Sequence, residues 1–433
     1  MMLHKSDQTH FPKHFAPAVV VNAICLFLMF LCLSGVQSVT EPTFTLPHRG
    51  CYYAAWSTYR VGKARFLPRH IDASLCTIIY YAFGDIHLDT VGSANAIPSV
   101  QTTPKPTFGF LTKAGASPYF NASLSVMDSA MEIRYVRRSY PNIKLVLSVG
   151  GWGTVNSFNA IAASSELRKF FISSMISVVR QIGYDGLDIS WEYPAKKDLQ
   201  YATLLFSEIR EQLNIEAQNS GKPRLIFTAA VTNTSIEGYN VAEMIKNLDL
   251  INIMAYDLHN PLMEPTETGH HSQLFPPLSN TSSTNVKDVV EGWEKAGAPK
   301  SKIVVGLATY GDTWNLTSPG SFGLGAPAAG HGPLGFYTRS PGYLAYYEIC
   351  EKIRSGELLA ITPPDIQTPY AHSANGKWWI SYEDENSLRT KVRWVTGKGY
   401  GGIFVWDITF DDFFGNCGVK YPLLYAIKSE LKV

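Results

Sequence analysis

The sequence predicts an α/β fold: a (β/α)8 TIM barrel with a small α+β insertion domain between strand seven and the last helix. Short apolar segments alternate with segments of helical periodicity along the chain, and eight such units close a parallel barrel through right-handed crossovers. One unit is too long, because residues 312–382 contain many Pro and Gly residues and several short strand-like runs. The 433 residues, 45% hydrophobic with a net charge of +1, suit one large domain with an insertion.

The predicted strands are short apolar runs bounded by Gly, Pro or polar residues. In chain order they are Cys51 to Trp56, Cys76 to Phe83, Lys144 to Gly150, Tyr184 to Pro194, Leu225 to Val231, Leu250 to Tyr256, Ile303 to Tyr310 and Gly401 to Asp407. The predicted helices are Leu124 to Arg138, Glu166 to Ile182, Leu199 to Gln218, Val241 to Leu248, Val286 to Ala296 and Leu388 to Val395. Residues 84–123 predict a long loop, and the barrel is expected over residues 50–311 and 383–431.

The fourth predicted strand carries acids among its apolar residues. Asp188, Ser190 and Glu192 have the same parity, so their side chains should point the same way, roughly 6–7 Å apart per step of two residues. Acids are expensive to bury in a strand, which favours a functional site over a core. Asp185 has the opposite parity and begins the strand, so we expect it to bond neighbouring backbone.

The carboxyl ends of the predicted strands carry an unusual number of aromatic residues, and in such barrels the chemistry occurs at these ends. These positions are Trp56, Phe83, Trp152, Glu192 with Tyr193, Tyr256 with Asp257, Tyr310 and Trp406. Aromatic rings stack on pyranose faces, so the pattern favours a polysaccharide cleft over an apolar cofactor pocket.

No cofactor and no metal are expected. A phosphate-binding Gly-rich loop with Lys is absent from the sequence, the Cys residues lack zinc-ligand spacing, and the pair His270-His271 is interpreted as a solvated loop. The absence of a basic excess also excludes a nucleic-acid partner.

The acidic strand resembles the signature of the family 18 glycoside hydrolases, the chitinases and chitinase-like lectins, whose pattern is Asp-x-x-Asp-x-Asp-x-Glu. Asp185, Asp188 and Glu192 match three of its acids, and Ser190 stands where the third Asp belongs. Further matching motifs cover Gly50 to Leu431: Leu147 to Trp152, Asn252 to Leu258, Thr309 to Gly311, Gly323 to Pro327, Ala345 to Cys350 and Val405 to Asp407.

The resemblance implies a role for each matching residue. Glu192 is the expected acid, supported by Asp188, while Tyr256 and Asp257 hold the substrate's acetamido group. The Trp406 ring is expected to form the floor of the −1 subsite. The other expected substrate contacts are Trp56, Trp152, Tyr52, Phe83, Tyr193, Met254 and Tyr310. Three positions depart from the family's frequent residues: Asp312 replaces Arg or His, Leu262 replaces Trp, and Ser340 replaces Glu.

Ser190 decides the expected activity. In this family the substrate's own acetamido oxygen attacks the anomeric carbon, and the missing Asp steadies the positive oxazolinium ion. A hydroxyl supplies no charge, so hydrolysis should be weak or lost, and Glu192 should be less biased toward its protonated form. We therefore expect a protein that binds chitin or chitooligosaccharides. The alternatives are an active retaining endochitinase with Glu192 as acid, and a signalling or structural barrel without a sugar ligand.

The N-terminal segment, the glycosylation tripeptides and the cysteines indicate export. Residues 1–38 read as a secretory signal, or alternatively as an uncleaved type II membrane anchor. Asn121, Asn233, Asn280 and Asn315 lie in glycosylation tripeptides. Apart from two Cys in the apolar run, Cys51, Cys76, Cys350 and Cys417 allow three pairings; the resemblance implies Cys51–Cys76 and Cys350–Cys417. We expect a secreted monomer, with membrane contact only if the anchor is retained.

Overall fold

The computed structural model describes residues 40–42, 44, 47–84, 86–88, 98–99 and 132–431, and the structural statements below concern these residues. The predicted leader at residues 1–38, the glycosylation site at Asn121, most of the loop at 84–123 and the start of the helix predicted from Leu124 lie outside them. No helix within the described ranges is both long and apolar enough to cross a membrane.

The structure contains sixteen strands and eight α-helices within the described residues. The strands are β1 (His48–Ala54), β2 (Ile78–Gly84), β3 (His87–Leu88), β4 (Pro98–Ser99), β5 (Lys144–Gly150), β6 (Gly186–Ser190), β7 (Ile226–Val231), β8 (Leu250–Ile253), β9 (Ile303–Ala308), β10 (Tyr310–Leu316), β11 (Ala328–His331), β12 (Tyr343–Ala345), β13 (Leu358–Ile361), β14 (Tyr370–Ser373), β15 (Trp378–Ser381) and β16 (Gly402–Trp406). The helices are α1 (Val155–Ala163), α2 (Ser165–Ile182), α3 (Leu199–Ser220), α4 (Val241–Asn247), α5 (Val286–Lys295), α6 (Tyr346–Arg354), α7 (Glu385–Lys398) and α8 (Pro422–Leu431).

Eight parallel strands close into a barrel in the order β1-β16-β9-β8-β7-β6-β5-β2. The closure is complete because β1 pairs with both β2 and β16. This confirms the predicted barrel and brings all eight carboxyl ends to one rim. The described end of the helix predicted up to Arg138 is instead a 3-10 helix, Arg134–Arg138.

Helix caps fix where the acidic strand begins. The Ser164 hydroxyl accepts a hydrogen bond of 3.3 Å from the Leu167 amide and starts α2. The helix ends at Gly183, whose φ of +74° is left-handed and suits a residue without Cβ. The chain therefore reverses at once into β6.

The residues of β6 alternate between the barrel interior and the helical layer. Asp188 bonds to side chains of other barrel strands, whereas Trp191, one residue past the strand, stacks on Phe158 of α1 at 5.3 Å. The period of two thus continues past the strand end at Ser190, although the predicted strand reached Pro194.

The insertion is an antiparallel sheet in the order β11-β10-β15-β14-β13, with β12 also paired to β10. Trp314 and Trp379, both fully buried, form its small core. The predicted seventh strand, Ile303 to Tyr310, is divided in the structure, since β9 ends at Ala308 and Tyr310 begins β10 of the insertion sheet.

Two disulfides have the pairing that the resemblance implied. Cys51–Cys76 joins β1 to the residues before β2, and Cys350–Cys417 joins α6 to the segment after β16. The second disulfide ties the insertion back to the barrel chain.

A buried ion pair holds α7 against the segment that follows β8. The Lys391 side chain is 2% exposed, and its ammonium group donates to the Glu383 carboxylate and to the Ser272 carbonyl. Glu383 also accepts hydrogen bonds from the hydroxyls of Ser272 and Ser387. Both charges are therefore satisfied inside the protein.

We expect Lys391→Met to lower the free energy of unfolding by about 3–5 kcal/mol, because the substitution leaves Glu383 buried without its cation. Denaturant unfolding followed by tryptophan fluorescence measures the change. Lys398→Met on the same helix is the control, since Lys398 is 41% exposed where it pairs with Glu291, and an exposed pair contributes about 0–1 kcal/mol. Equal losses in the two variants would contradict the prediction.

Candidate active site

Asp188 is a fully buried carboxylate inside the barrel. It accepts hydrogen bonds from the hydroxyls of Tyr52 at 2.9 Å, Ser148 at 2.7 Å and Thr228 at 2.6 Å. Burial raises the pKa of Asp188, and these three hydrogen bonds oppose that shift. Donors from three other strands therefore fix this acid in position.

Ser190 contacts Glu192 directly. Ser190 is 1% exposed, and its hydroxyl donates a 2.9 Å hydrogen bond to Oε1 of Glu192. The two side chains lie on the same side of the chain, as their parity predicted, although Glu192 lies beyond the end of β6. The contact at Glu192 is thus neutral where the family pattern has a carboxylate.

Burial raises the pKa of Glu192 from 4.5 to about 7. The charges of Asp257 and Asp188 raise the pKa further, while the Ser190 hydrogen bond lowers it. Near neutral pH a large fraction of Glu192 therefore carries a proton, as a general acid requires. The bias toward the protonated form comes mainly from desolvation, whereas the sequence argument attributed it to a neighbouring carboxylate.

Three partly buried rings form an aromatic cluster at the same rim. Trp406, the last residue of β16, lies 5.6 Å from Phe83 at 22° and 6.0 Å from Trp56, and Trp56 lies 5.9 Å from Phe83 at 26°. Trp152, after β5, is 64% exposed. These rings offer apolar faces of the kind that sugars stack on.

Tyr52 is a correction to the predicted substrate contacts. It is 2% exposed, lies 5.6 Å from the Trp406 ring, and donates its hydroxyl to Asp188. A side chain closed off from solvent in this way supports the acid and the Trp406 ring, and it does not offer a surface to a ligand.

The remaining predicted contacts line the rim to different extents. Tyr193 is partly buried, whereas Met254, Tyr256 and Tyr310 are 8%, 5% and 6% exposed. The Asp257 side chain is 46% exposed and accepts a hydrogen bond from the Tyr310 hydroxyl. Of Tyr256 and Asp257, which the resemblance assigned to the acetamido group, Asp257 is therefore the more accessible.

Asn233 is a second correction. It is 8% exposed, and its side-chain amide donates to the Tyr256 carbonyl. A glycan needs space at that nitrogen, and a side chain buried inside the protein offers none, so the predicted glycosylation at Asn233 is incompatible with this fold. Asn280 and Asn315 are exposed, and glycosylation there stays a prediction.

His270 and His271 are a third correction, because the predicted solvated loop is buried. They are 1% and 0% exposed. The segment that carries them lies under the insertion sheet, where the His271 amide donates to the Ser381 hydroxyl at 3.3 Å.

Sequence reasoning also missed the group that surrounds His271. Its Nδ1 lies 3.8 Å from Oδ1 of Asp257 and 3.9 Å from Oδ2 of Asp312. Burial is the main reason that the pKa of Asp312 lies well above its usual range, and the charge of Asp257 raises this pKa further. The available signal was Asp312 itself, an acid in an apolar segment where the family often has a cation.

Asp185 behaves as expected for a structural acid. Its carboxylate accepts a 2.7 Å hydrogen bond from the Leu145 amide and pairs with Arg137. It lies at the opposite end of β6 from Glu192 and so takes no part in the rim.

Comparisons with known proteins agree with this architecture. The model of the glycosyl hydrolases family 18 matches residues 48–411. An endochitinase of Brugia malayi is 33% identical over 424 residues, covering 95% of this chain and 77% of the relative.

Two solved structures are similar over most of the chain. The immunomodulatory active chitinase of Trichuris suis has a TM-score of 0.78 and 33% identity, covering 90% of this chain and all (100%) of that one. Human YKL-39, described as a pseudo-chitinase with retained chitooligosaccharide binding properties, has a TM-score of 0.77 and 32% identity over 90% of this chain and 100% of that one.

The raised pKa of Glu192 should appear in the pH dependence of stability. An acid whose pKa is higher in the folded than in the unfolded chain stabilises fully below its unfolded pKa, and that stabilisation is lost as pH rises through the folded pKa. We expect the unfolding free energy of the wild type, relative to Glu192→Gln, to fall between pH 4.5 and about 7. Denaturant unfolding at a series of pH values measures this difference.

The matched control is Glu237→Gln, because Glu237 is 62% exposed. Its difference from the wild type should vary little over the same range. If the Glu192→Gln difference is equally flat, the pKa of Glu192 is not raised.

The chain belongs to the glycosyl hydrolases family 18.

Proposed function

We propose that this family 18 protein binds chitin or chitooligosaccharides at the carboxyl rim of its barrel and hydrolyses them weakly or not at all. The observation that carries the proposal is the neutral hydrogen bond from Ser190 to Glu192. The proposal separates sugar binding, which uses the aromatic rings, from sugar cleavage, which needs stabilised charge.

Substrate-assisted cleavage makes two demands on the protein. An acid must protonate the leaving oxygen, and negative charge must stabilise the oxazolinium ion that forms when the acetamido oxygen attacks. Glu192, with a pKa of about 7, can meet the first demand. The Ser190 oxygen can accept the acetamido N–H but carries no charge, and losing one preorganised electrostatic partner lowers turnover by about 10²–10³.

Binding does not depend on that missing charge. Closely spaced rings are presented by Trp406, Trp56 and Phe83. An exposed ring is added by Trp152, two residues after the end of β5. Aromatic side chains contribute large apolar area with a defined orientation. The relatives include both an active chitinase and a pseudo-chitinase that keeps chitooligosaccharide binding, so family membership alone leaves both outcomes open.

A slow retaining endochitinase is the second candidate. The raised pKa of Glu192 favours this candidate, because it keeps a large fraction of Glu192 protonated close to neutral pH. The two candidates differ in turnover and not in the ligand they bind.

We further propose that the protein is secreted. The two disulfides suit an oxidising compartment, and the sequence of residues 1–38 has the features of a leader.

We expect Ser190→Asp to raise turnover of a fluorogenic chitotriose by about 10²–10³, because it restores a charge beside Glu192. Wild type should hydrolyse at a rate close to that of Glu192→Gln. Initial rates measured for the three proteins under identical conditions test this expectation.

Ser190→Asn is the matched control, since Asn has the shape of Asp without its charge. It should leave turnover low. A wild type that cleaves much faster than Glu192→Gln would establish the endochitinase candidate instead, and an equal gain in Asp and Asn variants would show that size, not charge, limits the rate.

We expect Trp406→Ala to remove most retention on chitin beads, because the substitution deletes the central ring of the aromatic cluster. Stacking of one ring contributes about 0.5–1.5 kcal/mol beyond its buried area, so the dissociation constant for chitotetraose should rise at least severalfold. Isothermal titration calorimetry measures it.

Tyr201→Ala provides the control, since Tyr201 is an exposed ring on α3 outside the aromatic cluster. Retention should be unchanged. Loss of retention in both variants, or in neither, would count against a binding site at Trp406.

A further inference from the structure

Three potential metal ligands converge beside the aromatic rim. Their ligand atoms, on Asp257, His271 and Asp312, all lie within 4.8 Å of one another. The residues come from three places in the chain: the segment after β8, the buried loop beneath the insertion sheet, and β10. The fold, and not local sequence, brings them together.

Two members of this group are buried without hydrogen-bond partners. Neither Nδ1 nor Nε2 of His271 has a partner, although the side chain is 0% exposed. Oδ2 of Asp312 also has none, with a side chain 8% exposed. Burying a polar atom without a partner costs about 1–3 kcal/mol, so two such groups facing each other indicate that something binds between them.

The unpartnered atoms face one another. His271 Nδ1 lies 3.8 Å from Asp257 Oδ1 and 3.9 Å from Asp312 Oδ2. These distances are too long for hydrogen bonds. Donors bound to one Zn²⁺ at about 2.0–2.2 Å would be slightly closer together than this, so small side-chain movements suffice.

Charge favours a cation at this point. Among the described residues, the ion pairs of Asp257 and Asp312 involve His271 alone and neither a Lys nor an Arg. Two carboxylates thus share one imidazole, and no permanent cation offsets them.

We propose that Asp257, His271 and Asp312 bind a divalent transition-metal ion of the Zn²⁺ class. One imidazole nitrogen and two carboxylate oxygens are ligands that Zn²⁺ takes, whereas Mg²⁺ and Ca²⁺ prefer oxygen ligands alone. Three protein ligands leave a fourth position open to water or to a sugar oxygen.

The surroundings hold the ligands in place and leave an entry route. The Tyr310 hydroxyl donates to Asp257, the Tyr310 ring lies 5.2 Å from the His271 ring, and the His271 carbonyl accepts 2.8 Å from the Leu258 amide. Such outer contacts orient metal ligands. The Asp257 side chain, 46% exposed, opens the group to solvent.

A second cluster of donor residues does not compete. Asp412 lies near Cys350 and Cys417, but those two cysteines form a disulfide and so offer no thiolate.

The test is direct metal binding to the whole chelator-treated protein. ZnCl₂ titrated by calorimetry should give one saturable site per chain, and Co²⁺ should give a visible absorption band that reports nitrogen and oxygen ligands. Asp312→Asn and His271→Gln should each weaken Zn²⁺ binding by at least about 10-fold, since even loss of an outer-shell partner costs 10–100-fold.

Glu237→Gln, which removes an exposed carboxylate that is not one of the three proposed ligands, should bind Zn²⁺ as the wild type does. Asp312→Asn keeps the shape of the side chain, and far-ultraviolet circular dichroism checks that it folds. The proposal fails if the wild type shows no saturable site. It fails equally if both ligand variants bind Zn²⁺ as tightly as the wild type.

The test is independent of sugar binding and cleavage. A metal site without chitin binding would support this inference and overturn the proposed function. Chitin binding without a metal site would support the proposed function and overturn this inference.

Discussion

The hydrogen bond from Ser190 to Glu192 is the interaction on which the chemistry of this site depends. It places a neutral donor beside Glu192, the residue proposed to protonate the leaving oxygen. The contact is possible because β6 keeps its period of two through Ser190 and on to Glu192, while Trp191 packs outward on Phe158. Asp188, held by three hydroxyls deeper in the barrel, fixes the strand below it. Under the proposed function, the position of the acid is thus retained, and the charge that would complete the site is not.

Burial and charge have separate effects here. Desolvation is the largest cause of the rise in the pKa of Glu192, so the raised pKa does not require a carboxylate at position 190. Stabilising an oxazolinium ion is different, because only a negative charge or its equivalent offsets a positive one in a site of low dielectric. The ring cluster of Trp406, Phe83 and Trp56 requires neither effect. Under the proposed function, loss of one acid therefore removes turnover and leaves both the proposed proton donor and the rings that would stack on a sugar.

The sequence predicted what periodicity and parity control. β5 has the predicted bounds, Lys144–Gly150, and the shared side of Ser190 and Glu192 followed from alternation along a strand. It could not predict features set by neighbours distant in the chain. The resemblance implied that Tyr52 contacts substrate, yet register places its hydroxyl on Asp188, 136 residues away. The pair His270-His271 was interpreted as a solvated loop, but the insertion sheet covers it. The single predicted strand ending at Tyr310 divides because only Thr309 separates the end of β9 from the start of the insertion sheet.

Ser190 and Asp312 both bear on where negative charge lies in the site. Relative to the family pattern, one acid is absent beside Glu192, and one acid has been added where a cation is frequent. The added carboxylate faces His271 and Asp257 at distances that suit a shared cation. With both proposals, the negative charge at this rim holds a bound metal ion near Asp257. It no longer stabilises a transient oxazolinium ion near Ser190. Since Asp257 is also the acid assigned by resemblance to the acetamido group, a bound metal with an open position would lie where a sugar is expected. Ligand recognition at this rim would then depend on metal occupancy, a property that the reaction of an ordinary substrate-assisted hydrolase does not need.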